Sequence, residues 1–119
     1  MNYGDRYWCI TTWGDTLGSL WFDSLKQNKD LTNGVIFRTE EEAYSCSERF
    51  GLYLKSLPRN ELFSGGYYTV MNDGETMFLN TKMFSGHSER FTYGNAFKKV
   101  QQAQMVATQL LKISRGIKC

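Results

Sequence analysis

The sequence predicts an α+β fold in which a β-hairpin, a short strand and a helix occur twice, with two helices packed on an antiparallel sheet. Three observations support this prediction. Residues 37–43 align with residues 97–103 at a spacing of sixty. In both halves, aromatic and β-branched runs flank a glycine-containing turn, as in hairpins. Apolar residues then recur at three- and four-residue steps, as in an amphipathic helix.

The sixty-residue register holds without a gap, which indicates internal duplication. Paired positions share size or chemistry: Tyr7/Tyr67, Trp8/Tyr68, Ile10/Val70, Gly14/Gly74, Gly34/Gly94, Phe37/Phe97, Ala43/Ala103 and Phe50/Leu110. A unit of about fifty residues buries too little apolar surface to offset its ordering entropy, so two copies should cover each other. We therefore predict a single domain over residues 1–119, with repeats at 7–55 and 67–115 and a linker at 56–66.

The first repeat begins with two predicted strands, 7–12 and 16–22, joined by a turn. Residues 23–33 are polar and have no apolar periodicity, so we expect a loop there. Residues 35–37 form a short apolar run, read as a third strand or an extended lead-in. The predicted helix runs from a Thr39 cap to about residue 55. Its first turn carries Glu40, Glu41 and a capping-box Glu42, and its apolar stripe is Ala43, Cys46, Phe50 and Tyr53.

The second repeat follows the same plan. Strands are predicted at 67–71 and 75–83, a loop at 84–95, and a helix at about 100–114. The helix has a poorer cap, because Lys99 stands where the first repeat has Thr39. Its apolar stripe is Ala103, Val106, Leu110 and Ile113, at the same spacing as in the first helix.

Composition is that of an ordinary globular protein, with 41% hydrophobic and 22% charged residues. A net charge of +2 and a pI of 8.4 are low for a nucleic-acid-binding domain. Cys9 and Cys46 are expected to be buried thiols in a reducing compartment, and Cys119 a free thiol. Without a signal peptide or an eighteen-residue apolar run, the expected location is the cytoplasm of a bacterial or phage-infected host cell.

No pattern in the sequence points to catalysis or to a cofactor. His87 is the single histidine, and it lies in a polar loop without a nucleophile elbow around its serine neighbours. Zinc, calcium and phosphate-loop signatures are missing from the sequence. We therefore expect no catalytic residue, no metal and no cofactor.

Aromatic residues that occur in one repeat only are the best candidates for contact with a partner. The scaffold should require its large apolar residues in both copies, so unmatched ones need another explanation. Trp21 is better read as asymmetric core packing. We assign partner binding to the unmatched aromatics Trp13, Phe22, Phe84 and Tyr93. His87 and Arg90 are included because they lie in the same predicted loop as Phe84 and Tyr93.

Two other kinds of ligand stay open. A nucleic acid could stack on strand aromatics and be neutralised by nearby lysines, namely Tyr67, Tyr68, Phe78, Lys82, Lys98 and Lys99. Strand aromatics are more often core, which makes this the weaker alternative. A signalling nucleotide held between the repeats is a third hypothesis. A homodimer, including one formed through a sheet edge, also stays open.

The first repeat resembles a short module of small phage and prophage proteins whose functions are mostly unassigned. The matching residues are Tyr7, Trp8, Ile10, Gly14, Trp21, Gly34, Phe37, Thr39, Glu41, Glu42 and Ala43. The second repeat keeps Gly94, Asn95, Ala96, Phe97 and Ala103 but lacks the threonine and the glutamate pair. The resemblance implies phage origin and no particular chemistry. We expect a non-enzymatic protein that binds and inhibits a bacterial host protein, in the specific version an anti-defence inhibitor of the anti-CRISPR kind.

Overall fold

A computed structural model describes residues 1–12, 14–57, 66–79 and 94–118. The fold is α+β, and these residues form three helices and two antiparallel sheets of two strands each. The elements are β1 Arg6–Ile10, β2 Thr16–Leu20, α1 Leu25–Asn33, α2 Glu40–Lys55, β3 Tyr67–Val70, β4 Thr76–Leu79 and α3 Val100–Lys118.

Each sheet is a hairpin, with β1 paired to β2 and β3 paired to β4. Gly14 and Gly74 lie in the turns with φ of 103° and 82°, a conformation that glycine adopts at no steric cost. In the described parts of the chain the hairpins do not join, which differs from the predicted single sheet. The reason lies in the outer sides of β1 and β3, which bond to other segments.

Those segments are the residues just before the two long helices. Phe37 exchanges backbone hydrogen bonds with Trp8, at 2.7 and 2.8 Å, and Phe97 exchanges them with Tyr68, both at 2.8 Å. The predicted short strand is therefore a one-residue bridge in each half. The two bridges are related by the sixty-residue spacing of the sequence.

Helix α1 occupies the stretch for which a loop was expected, and that prediction was wrong. The Ser24 hydroxyl accepts from the Gln27 N–H at 3.1 Å, and the Gln27 side chain accepts from the Ser24 N–H at 3.3 Å. Gly34, with φ of 79°, ends the helix in left-handed geometry. A capping box and a C-terminal glycine define this helix, whereas apolar periodicity does not.

Helix α2 begins at the predicted cap. The Thr39 hydroxyl accepts from the Glu42 N–H at 3.2 Å and donates to the Glu42 carboxylate at 3.1 Å. The helix ends at Lys55, as expected, and carries its three glutamates in the first turn. Helix α3 continues to Lys118, beyond the predicted end near residue 114.

The main core lies between the two long helices and the hairpin on which each one packs. Its buried members are Ile10, Phe37, Ala43, Cys46, Phe50, Leu54, Val70, Phe97, Ala103, Val106, Ala107 and Leu110. Each large side chain contributes about 1.5–3 kcal/mol. Cys46 is fully buried, as expected, and Cys9 is half-buried; burial raises the pKa of the Cys9 thiol, so it stays protonated at neutral pH.

The end of each long helix contacts the glycine that precedes the other long helix. The Ser114 hydroxyl of α3 donates to the Gly34 carbonyl. A Cβ built on Gly34 would lie 3.2 Å from Arg115 Cγ, and one built on Gly94 would lie 3.4 Å from Leu54 Cβ. These contacts are reciprocal, so each half of the chain closes against the helix of the other.

Asn95 connects the two hairpins through its buried side chain. Its Oδ1 accepts from the Val70 N–H at 2.8 Å, and its Nδ2 donates to the Val70 carbonyl at 2.8 Å and to the Thr12 carbonyl at 3.2 Å. Thr12 is buried and has φ of 66°, an uncommon conformation for a β-branched residue. The Asn95 amide thus replaces a neighbouring strand on β3 and also binds the start of the first hairpin turn.

Candidate partner-binding surface

Of the six predicted contact residues, Phe22 lies in the described part of the chain. Its side chain is 55% exposed, two residues after the end of β2. Trp13, Phe84, His87, Arg90 and Tyr93 lie outside the described residues, and their assignment stays a prediction.

Trp21, the neighbour of Phe22, is 2% exposed. It packs edge-on against Tyr7, with ring centroids 6.1 Å apart, and shares a small cluster with Ile36. Trp21 is therefore a buried packing residue of the first half, as the sequence analysis predicted. Along this extended segment Trp21 points inward, whereas Leu20 and Phe22 on either side of it are exposed.

Gln27 of α1 fixes the backbone on both sides of Trp21. Its Oε1 accepts from the Phe22 N–H at 2.8 Å, and its Nε2 donates to the Leu20 carbonyl and to the Tyr7 hydroxyl, both at 3.0 Å. The amide thereby makes the bonds that another strand would make along this edge. It is buried, which makes these bonds strong constraints on where Phe22 points.

The next residue adds a second constraint. Asp23 has φ of 57°, and its carboxylate accepts from Asn28 Nδ2 at 2.9 Å. Non-glycine residues rarely adopt this conformation, and such strain persists where the surroundings determine it. The chain therefore turns sharply after Phe22 into α1, which leaves the ring at the open end of the first hairpin.

Phe22 has an exposed aromatic neighbour that the sequence analysis missed. Tyr3 is 77% exposed and meets Phe22 edge-on, with ring centroids 5.7 Å apart. Leu20 and Leu25, 45% and 92% exposed, flank Phe22 along the chain. We call Tyr3, Leu20, Phe22 and Leu25 the end patch. Tyr3 precedes the first strand, so no hydrophobic pattern marked it, and Leu25 lay in the stretch taken for a loop.

The aromatic residues suggested for nucleic-acid stacking are mostly used by the fold. Tyr67 is fully buried, and Tyr68 packs against the main core. Phe78 is 55% exposed but lies edge-on to Tyr68, with centroids 5.2 Å apart. A Cβ built on Gly66 would lie 2.2 Å from Phe78 Cζ, so the Phe78 ring covers Gly66.

Phe78 and Gly18 lie sixty residues apart and differ greatly in size, yet in both hairpins an aromatic ring covers a glycine. In the first hairpin Trp8 covers Gly18, since a Cβ built there would lie 2.9 Å from its ring, and Arg6 lies 5.4 Å from the Trp8 centroid. In the second hairpin the large ring comes from the opposite strand. In each hairpin the ring covers a glycine of the opposite chain segment, so Phe78 needs no ligand to account for it.

Charged side chains join α1 to the turn of the second hairpin. Lys26 Nζ lies 2.6 Å from Asp73 and 2.9 Å from Asp30, and Lys29 Nζ lies 2.5 Å from Glu75. Burial alone would lower the pKa of Lys26, but its hydrogen bonds to Asp73 and Asp30 outweigh burial and raise it. Burial alone would raise the pKa of Asp73, but the bonds from Lys26 and the Glu75 N–H lower it. These pairs place α1, which carries Leu25, beside the turn of the second hairpin.

Two shallow clefts, of about 440 and 230 Å³, lie between each hairpin turn and the long helix of the same half. The larger is lined by Gly74, Glu75, Thr76, Gln104, Ala107, Thr108 and Leu111, and the smaller by Gly14, Tyr44, Ser47, Glu48, Gly51, Leu52 and Lys55. A nucleotide phosphate requires cations or clustered N–H donors. Among these lining residues Lys55 is the only cation, so neither cleft is suited to a phosphate. Both clefts lie within one half of the chain, whereas the signalling-nucleotide hypothesis places its ligand between the halves, so that hypothesis stays a prediction.

Among the described residues, no group of three or more His, Cys, Asp or Glu side chains is placed to hold a metal ion. Within the same residues, no helix is long and apolar enough to cross a membrane. Comparisons with protein-family models, curated proteins and solved structures show no match. Function must therefore be inferred from the surface itself.

Proposed function

We propose that this protein is a non-enzymatic binding module that attaches to another protein through the end patch. The observation that carries the proposal is the exposed Tyr3–Phe22 pair on a backbone fixed by Gln27 and Asp23. Exposed aromatic residues are the type that most often dominates the energy of protein interfaces. A fixed backbone lowers the entropy lost on binding, so a small patch can support useful affinity.

The proposal includes the internal duplication predicted from the sequence. Its support is the recurrence of the same contacts at sixty-residue spacing. Trp8 and Phe37 form one bridge and Tyr68 and Phe97 the other. Two copies of one unit would give a stable scaffold, and the end patch would be a feature added to the first copy.

The target class in this proposal is a bacterial host protein, bound in the host cytoplasm. The resemblance of the first repeat to a phage module supports this part. A small binder without catalytic parts acts most simply by covering a functional surface of its target. The specific version is inhibition of a bacterial defence system of the CRISPR type.

The test is capture of host proteins from bacterial lysate, using the native chain and a Tyr3→Ala/Phe22→Ala variant. Met105→Ala is the matched control, because Met105 is also a large exposed apolar residue, 71% exposed, and lies on α3, which contributes no residue to the end patch. We expect the double variant to lose a specific captured protein, with unchanged circular dichroism, while the control retains it. Capture that survives the double variant, or that the control loses equally, would contradict the proposal.

A host assay separates binding from inhibition. Expression of the native chain in bacteria with an active defence system should restore phage plaque formation, and the double variant should not. Restored plaques with both chains would place the inhibitory surface elsewhere. If the native chain captures a host protein but does not restore plaque formation, the protein-binding proposal stands and the anti-defence version of it is wrong.

A nucleic-acid-binding module is the second candidate, and one observation favours it. Residues 94–118 contain five basic and no acidic side chains: Lys98, Lys99, Lys112, Arg115 and Lys118. Binding through such charges would weaken steeply with added salt. A measurable affinity for DNA or RNA with that dependence, lost in Lys98→Ala/Lys99→Ala, would replace the protein-binding proposal.

A further inference from the structure

Strand β2 has one hydrogen-bonding edge that the first hairpin does not use. Trp8 bonds to Phe37 on the side of β1 that faces away from β2, so Trp8 and its partner Gly18 form a non-hydrogen-bonded pair. Consequently the N–H and C=O groups of Gly18, and of Thr16 two residues earlier, point outward. Among the residues that the structure describes, no hydrogen bond reaches these four groups.

The sequence of β2 provides no protection for this edge. It reads Thr-Leu-Gly-Ser-Leu, without a charge or a proline. Edge strands that stay single usually carry lysines, prolines, bulges or a covering element. Leu17 lies between Thr16 and Gly18 and is 55% exposed. Its side chain is on the opposite face of the sheet from that of Trp8. An uncharged edge of this kind, which no element of the described residues covers, is suited to pairing with another strand.

Gln27 determines how much of the edge is open. Its amide already bonds the Leu20 carbonyl and the Phe22 N–H, which closes the end of the strand near α1. Besides the N–H of Leu20, the open groups are therefore those of Thr16 and Gly18. An incoming antiparallel strand satisfies all four groups only when its own two outward residues stand opposite these two.

A second copy of β2 meets that condition. When Thr16 of one chain stands opposite Gly18 of the other, two hydrogen-bonded pairs form around a twofold axis. Leu17 of each chain then occupies the non-hydrogen-bonded position on the axis, where side chains approach most closely. The two exposed leucines cover each other, and the uncharged strands bring no like charges together.

We propose that two copies of this chain associate through β2, antiparallel and centred on Leu17, to form a four-stranded sheet from two hairpins. The occupant is the same chain, because the edge is complementary to itself in donors, acceptors and apolar side chain. The proposal is independent of the proposed function, since it does not use Tyr3 or Phe22. The interface is small, so we expect a concentration-dependent dimer and not an obligate one.

Sedimentation equilibrium of the native chain, from about 10 µM to about 1 mM, tests the proposal. The average mass should rise with concentration from 13.8 kDa toward twice that value. Leu17→Lys places two like charges side by side on the axis and should raise the dissociation constant at least about tenfold. The matched control is Met77→Lys, because Met77 is 46% exposed at the equivalent position of β4. It should leave the association unchanged.

Circular dichroism would establish that both variants fold. Amide hydrogen exchange gives an independent readout, because the Thr16 and Gly18 N–H groups should become slower to exchange as the native chain is concentrated, and not in Leu17→Lys. A native chain that stays monomeric up to about 1 mM overturns the proposal. So does association that Leu17→Lys leaves intact, or that Met77→Lys weakens as strongly.

Discussion

Replacement of Asn95 by alanine should be among the most destabilising single changes in the chain. The side chain makes three hydrogen bonds, to the Val70 N–H and to the Val70 and Thr12 carbonyls. Val70 is fully buried and Thr12 is 1% exposed, so water cannot easily replace these bonds. A buried N–H left without an acceptor costs about 1–3 kcal/mol, and each lost bond to a carbonyl about 1 kcal/mol. The expected loss is therefore about 3–5 kcal/mol.

Urea denaturation followed by tryptophan fluorescence measures this loss. Asn72→Ala is the matched control, because the Asn72 side chain also joins the two hairpins, but within the described residues its one hydrogen bond is a 3.7 Å contact with the Cys9 sulfur. It should cost less than about 1 kcal/mol, since a bond to sulfur is weak. Similar costs for the two variants, or a loss below about 1 kcal/mol for Asn95→Ala, would show that the buried amide does not hold the hairpins together.

Two further predictions concern glycines and charge. Gly74→Ala should destabilise the fold by about 1–3 kcal/mol, because φ is +82° and the new Cβ would lie 2.7 Å from Leu111 Cδ2. Gly116→Ala should stabilise the fold by about 0.5–1 kcal/mol, because Gly116 lies in α3 and nothing stands within 4 Å of the new Cβ. Urea midpoints that move in the same direction would refute this pair. Asp73→Asn should cost about 0.5–1 kcal/mol at pH 7, because it breaks the Lys26 ion pair. The pKa of Asp73 is lowered in the folded state, so its contribution to the free energy of unfolding is present above the unfolded pKa and is lost as pH falls below about 4. A difference in unfolding free energy between Asp73→Asn and the native chain that persists at pH 2 would contradict this.

The long helices and hairpins could be predicted because their signals are local. Thr39 and Glu42 define the start of α2, and the glycines of the two turns define the hairpins. Helix α1 was missed because its apolar residues form no regular stripe. Its start is marked by the capping box of Ser24 and Gln27, a two-residue signal that the polar composition of the segment obscures.

The separation of the hairpins could not be predicted from local patterns. It depends on backbone bonds between residues far apart, such as Tyr68 with Phe97, and on the amide of Asn95. For the candidate site, Phe22 was found by comparing the repeats, whereas Tyr3 was not, since its importance comes from the ring that it touches. The ring that covers a glycine comes from the first strand in one hairpin, with Trp8 over Gly18, and from the second strand in the other, with Phe78 over Gly66. Such an exchange of strands becomes visible only in the structure.

The bond from Ser114 to the Gly34 carbonyl joins residues eighty positions apart. During synthesis the first half leaves the ribosome well before the part of α3 that contains Ser114. Until that part is made, the apolar face of α2 stays exposed to solvent. Contacts this distant in sequence slow folding, because a long loop has to close before they form. Loss of the chain from Ser114 onward, by a nonsense mutation or by a protease, should therefore destabilise the first half of the molecule as much as the second.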